Sequence, residues 1–98
     1  MKTYRLIWST RAAHDLRQIK TYIAYDKPQA AIQFIKKIKL KTERLQKFPR
    51  SGKVVPELYR HEIREILVGN YRVIYKIGQK SMISVLTVFE GHREFKKI

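Results

Sequence analysis

Residues 63–89 read IREILVGNYRVIYKIGQKSMISVLTVF, and this stretch decides the fold. It contains three apolar runs, 63–68, 71–77 and 82–89, broken by Gly69-Asn70 and by Gly78-Gln79-Lys80. Such runs are rich in β-branched and aromatic side chains, which pack well on a pleated surface. Short Gly-containing turns between them return the chain on itself, so the expectation is a three-stranded antiparallel meander.

Upstream, residues 49–61 carry Pro49, Pro56 and the Ser51-Gly52 pair, the one stretch of clear loop chemistry in the chain. Before that loop the period changes. Ala31, Phe34 or Ile35, Ile38, Leu45 and Phe48 recur at helical spacing after Asp26-Lys27-Pro28, which supplies a cap and a first-turn proline. Pro49 marks the expected end of that helix. An earlier helix places Ala12, Leu16, Ile19 and Ile23 on one face, starts behind the capping oxygens of Ser9 and Thr10, and ends near Tyr25. At the N-terminus, Tyr4, Leu6 and Trp8 alternate with Arg5 and Ile7, the period of a strand. The expected fold is α+β, in the order β-α-α-β-β-β, as a single domain over residues 1–98. An antiparallel helix hairpin should lie on one sheet face, and the first strand should join at an edge or beside a later strand. Residues 91–98 are polar and basic apart from Phe95 and the terminal Ile98, and are expected to form a mobile tail.

Lys and Arg number 22 against 8 Asp and Glu, a net charge of +14, so a strong positive field surrounds any fold this chain adopts. A polyanion or an acidic protein is the natural partner. There are no cysteines, which excludes disulfides, zinc-thiolate sites and thiol nucleophiles and suits a reducing cytoplasm. The first eight residues are too short and too interrupted for a signal peptide or a membrane span, so no membrane association is expected.

Several segments together resemble the RelE/ParE superfamily of bacterial toxins. They are Ala13-His14-Asp15-Leu16, Tyr22-Ile23, the LQKFPRSG run over 45–52, Pro56-Glu57-Leu58, Ile63-Arg64-Glu65-Ile66, Tyr71-Arg72-Val73-Ile74-Tyr75 and Gly91-His92-Arg93, in order along nearly the whole chain. The resemblance implies a toxin of a type II toxin–antitoxin system, of the kind tied to plasmid stabilisation, that inhibits growth until a cognate acidic antitoxin covers it. An exposed sheet edge or the helix-hairpin groove would receive the antitoxin's strand or amphipathic helix.

The superfamily divides between ribosome-dependent messenger RNA endoribonucleases, like RelE, and inhibitors of DNA gyrase, like ParE. Metal-free RNA cleavage needs a base, cations around the phosphorane and an acid. By resemblance Arg72 occupies the phosphate-stabilising position, His92 and Arg93 lie where further catalytic groups are found, and Glu65 would complete the set. Each also has a bland reading: Arg72 as a solvent-face strand arginine, Glu65 as a cross-sheet partner, and His92, like His14 and His61, as a surface histidine. Departures from the nuclease pattern are plain. Ile63 and Glu65 stand where lysines belong, and no tyrosine follows Tyr75. The long hairpin and the Phe48–Gly52 corner tilt the reading toward the ParE branch. No cofactor or metal is implied. A basic stripe of Lys36, Lys37, Lys41, Arg44 and Lys47, continued by Arg50, Lys53 and Arg64, is the candidate surface for nucleic acid or another target. Its alternatives are a solvated helix flank and, for the whole chain, a non-toxic nucleic-acid-binding module.

Overall fold

The computed structural model describes residues 3–93. Strand β1 (Arg5–Trp8) leads into α1 (Thr10–Ala24) and α2 (Pro28–Glu43), and α2 tightens into a 3₁₀ turn at Arg44–Gln46. Then come β2 (Lys53–Val54), β3 (Ile63–Val68), β4 (Tyr71–Ile77) and β5 (Met82–Glu90). The sheet order is β1-β5-β4-β3-β2, with β1 parallel to β5 and every other pair antiparallel. The α+β class and the meander are as the sequence indicates, and the first strand lies both at an edge and beside the last strand. One element was not foreseen. Lys53 and Val54 pair with Glu65 and Arg64, so the central loop contributes a fifth, two-residue edge strand.

Ser9 starts α1 as its periodicity suggests: its Oγ accepts from the Ala12 N–H at 3.0 Å and donates to the Leu86 carbonyl at 2.9 Å. The buried line Ala12, Leu16 and Ile19 faces Ile38, Val73, Val85 and Val88 across the hairpin and sheet. Each fully buried aliphatic side chain of this kind contributes about 1.5–3 kcal/mol relative to exposure. Two details of α2 differ from expectation. Its N-cap is Lys27, which makes no side-chain cap bond, so Pro28 in the first turn marks the start without help from Asp26. Phe48 is 51% exposed, because the chain has already left the helix at Gln46 and the helical period that places Leu45 inside no longer applies.

Beyond Val85 the outer edge of β5 has no strand beside it among the described residues, since β1 pairs with Met82 to Val85. Asp15 of α1 covers that edge instead. Its Oδ2 accepts from the Val88 N–H at 2.9 Å and the Thr87 hydroxyl at 2.6 Å. The other sheet face is also covered, by the central loop, whose Val55 and Leu58 pack on Ile63, Ile74, Leu86 and Phe89. Residues 72–75 are consequently buried on both faces of β4. The expectation of a mobile tail falls largely on residues 94–98, which lie outside the described residues.

The corner at 49–52 is pinned from below. Tyr75, fully buried, donates its hydroxyl to the Pro49 carbonyl at 2.7 Å and accepts from the Gly52 N–H at 3.0 Å. A Cβ on Gly52 would stand 2.5 Å from that hydroxyl and 2.6 Å from the Glu65 carbonyl, so only glycine permits this approach. Gly52→Ala is expected to destabilise the protein by about 1–3 kcal/mol in urea titration, the usual cost of forcing an extra carbon into a packed site. Burial, above all, raises the Tyr75 pKa, opposed by the Gly52 hydrogen bond and the charge of Arg64. The folded state therefore holds a neutral phenol that the unfolded chain ionises near pH ~10. Stability from this group is intact below that pH and is lost as pH rises through the raised folded value. Tyr75→Phe should flatten the alkaline fall in unfolding free energy while costing about 1–3 kcal/mol at neutral pH, and an unchanged alkaline slope would refute the assignment.

Candidate functional site

Alternation along β4 turns Val73 and Tyr75 toward the helices, and Arg72 and Ile74 toward the central loop. Arg72 is only 6% exposed, so it is not a solvent-face arginine. Its Nε donates to Glu65 Oε1 at 2.9 Å; Nη1 donates to Glu57 Oε2 at 2.9 Å and to the Arg93 carbonyl at 3.2 Å; Nη2 donates to Glu57 Oε1 at 2.9 Å and, by a short bond, to Glu65 Oε1. A guanidinium has five N–H donors, and all five are committed. The Phe89 ring lies beneath it, 5.2 Å from the guanidinium carbon to the ring centroid. Hydrogen bonding to Glu57, and then to Glu65, drives the Arg72 pKa upward against the opposing effect of burial.

Lys53 closes the cluster, its Nζ 3.5 Å from Glu65 Oε2. Two carboxylates and two cations make the cluster formally neutral. Of the four residues proposed for catalysis, Arg72 and Glu65 are therefore in direct contact. Arg93 joins through its backbone carbonyl while its side chain is exposed. His92 is exposed and bonds to neither Arg72 nor Glu65. The arrangement binds the loop to the sheet, and its guanidinium presents no free donor to a ligand oxygen. Glu57 was visible in the sequence only as part of Pro56-Glu57-Leu58, and nothing in its spacing reveals Arg72 as its partner.

The remaining basic residues divide in two. Arg64, half-buried, donates to the carbonyls of His61, Arg50 and Gly52 and so fastens the loop. Lys36, Lys37, Lys41, Arg44, Lys47, Arg50 and Lys53 are all exposed. A groove of about 660 Å³ runs between the end of α2 and β3, lined by Lys41, Arg44, Phe48, Lys53 and Leu67 among others. Because β2 covers only Arg64 and Glu65, the outer edge of β3 over 66–68 has no strand partner among the described residues. A second groove, about 460 Å³, lies along the hairpin, with Trp8, Ala13, Leu16 and Ile35 as an apolar floor and Arg17, Lys20, Lys39 and Glu43 at its rim. No helix among the described residues is long and apolar enough to cross a membrane.

Comparison with known proteins gives a consistent picture. A family model described as "ParE toxin of type II toxin-antitoxin system, parDE" matches residues 6–95. The chain is 28% identical over 100 residues to a Sinorhizobium fredii protein named "Putative toxin Y4kP", covering 100% of this chain and 99% of that one. Among solved structures, a chain of the chromosomal ParDE system of P. aeruginosa superimposes with a TM-score of 0.75 at 19% identity, over 90% of this chain and 96% of that one. An E. coli RelE double mutant in the free state gives a TM-score of 0.65 at 20% identity, over 92% and 85% of the two chains. The toxin–antitoxin complex RelBE2 of Mycobacterium tuberculosis gives 0.57 at 23% identity, over 92% and 93%.

Removing Arg72 is expected to unfold more than it disarms. Arg72→Ala removes the forked partner of Glu57 and of the buried Glu65, which retains Lys53 at 3.5 Å, and should destabilise by about 3–5 kcal/mol in urea titration, a large part of the stability of a small domain. Arg72→Lys should recover only part of this, since an ammonium cannot reproduce the forked pairing. Equal stability of the lysine variant and the parent would contradict that account.

Proposed function

The chain belongs to the ParE toxin family of type II toxin–antitoxin systems, and from that premise we propose that it inhibits growth by binding DNA gyrase and is neutralised by a cognate acidic antitoxin. The observation that carries the choice of target is the complete engagement of Arg72. A nuclease of the RelE type needs that cation at the phosphorane, and here every donor is held by Glu57, Glu65 or a backbone carbonyl. Freeing it would take the guanidinium from Glu57 and from the buried Glu65. A gyrase inhibitor needs a contact surface and no acid–base pair, which the exposed His92 and engaged Glu65 do not supply in concert.

Neutralisation follows from the hairpin groove. Its apolar floor and its rim of Arg17, Lys20 and Lys39 suit an amphipathic helix with acidic flanks. The unpartnered edge of β3 suits an added strand. Covering these surfaces is how an acidic partner would keep a +14 protein from its target.

Two assays on the same preparation test the target. Purified protein should block supercoiling by gyrase, and messages from intoxicated cells should show no codon-spaced breaks by primer extension; breaks without inhibition of supercoiling would reverse the assignment to the ribosome. Because the side chains of His92 and Arg93 are exposed, the double variant His92→Ala/Arg93→Ala should fold normally and arrest growth as the parent does. Loss of arrest in that variant, with folding intact by circular dichroism, would restore the nuclease reading.

A further inference from the structure

The charges of α2 are sorted by face. Lys39 and Glu43 turn toward α1 along the hairpin groove. Gln33, Lys36, Lys37, Leu40, Lys41 and Arg44 form a separate depression with no acidic residue in its lining. Lys41 and Arg44 also line the groove against β3, so the two depressions adjoin at these side chains and together make up a basic channel. The one carboxylate in that groove, Glu65, is 4% exposed and already bonded to Arg72 and Lys53. Among the described residues none of Lys36, Lys37, Lys41 or Arg44 is in an ion pair. Lys37 with Lys41, and Lys41 with Arg44, are like charges at helical-neighbour spacing, which destabilises a helix until an anion lies against them. At the lip of the channel stands Phe48, about half exposed, next to Lys47.

We infer that this channel binds a single nucleic-acid strand, its phosphates along Lys37, Lys41 and Arg44 and a base on the face of Phe48. A basic groove with an aromatic at its edge is the arrangement that takes unpaired strands, because a ring can stack only on a base freed from a duplex. The lining also carries Leu40, Leu45, Ile66 and Leu67, so an acidic polypeptide is the competing occupant, and the exposed ring of Phe48 beside the cations is what favours a nucleic-acid strand. The site stands independently of the gyrase assignment, and its test uses no gyrase and no growth readout.

The test is fluorescence anisotropy of the full-length protein with oligothymidine, oligouridine and a mixed-sequence duplex over a range of sodium chloride concentrations. The single strands should bind more tightly than the duplex, and the tighter of the two names the natural source. Lys37→Ala/Lys41→Ala/Arg44→Ala should reduce the log–log salt slope by about 2, from ~0.7 per phosphate contact on a single strand. Phe48→Ala should weaken binding roughly fivefold or more and leave the slope in place. Arg17→Ala/Lys20→Ala/Lys39→Ala removes the same charge from the hairpin groove and should keep the parent slope. Equal slope losses in the two triple variants would reduce the effect to net charge and overturn the site. So would tighter binding to the duplex, or polyglutamate binding as tightly as oligothymidine, the latter pointing to an acidic protein instead.

Discussion

Arg72 lies with its guanidinium between the sheet and the central loop, and the rest of the architecture is arranged around keeping that charge satisfied. A buried cation is tolerable only if its hydrogen-bonding capacity is filled and its charge is matched. Glu65 does this from β3, Glu57 from the loop, and the carbonyl of Arg93 from the chain leaving β5. Four segments of the chain are thereby held at one point. The loop cannot lift from the sheet without exposing both the ion pairs and the apolar patch that its Val55 forms with Ile63 and Ile74.

The same constraint shapes what the protein can offer to others. With Arg72 and Lys53 paired and Arg64 occupied by loop carbonyls, the positive field is carried by side chains that have no structural task, above all those on the outer flank of α2. Rigidity and function are therefore divided. Loop and sheet use their charges internally, while α2 carries an apolar inner line, a mixed-charge side toward α1 and an acid-free outer side. Two grooves result on either side of a single helix, both with apolar side chains in their lining, one rimmed by the mixed charges of Arg17, Lys20, Lys39 and Glu43 and the other with Lys41, Arg44 and Lys53 as its exposed charges. A small toxin-family domain thus has room to meet more than one kind of partner.

The elements were legible because local pattern and tertiary burial agree in most of the chain. Ala12, Leu16 and Ile19 lie inside as their spacing requires, and Ser9 caps α1 through its own side chain. Phe48 was misplaced because a periodicity was extended past the point where the chain stops being helical. Asp26 has the chemistry of a cap but lies one residue before the N-cap Lys27, and chemistry alone does not fix that offset. The two-residue strand β2 escaped notice since its pairing depends on Arg64 and Glu65, about ten residues away, and not on any alternation of its own.

What the sequence by itself determined is the α+β class, the order of the long elements, the helix hairpin and the surplus of positive charge, because these follow from period, turn chemistry and composition. Only the tertiary structure decided which charges are spent. Arg72, Arg64 and Lys41 look alike in the sequence, yet the first is enclosed by carboxylates, the second by carbonyls and the third by solvent. That difference arises from which acceptor oxygens, of side chain or backbone, the folded chain brings within about 3 Å of each side chain, a property on which local spacing has no bearing.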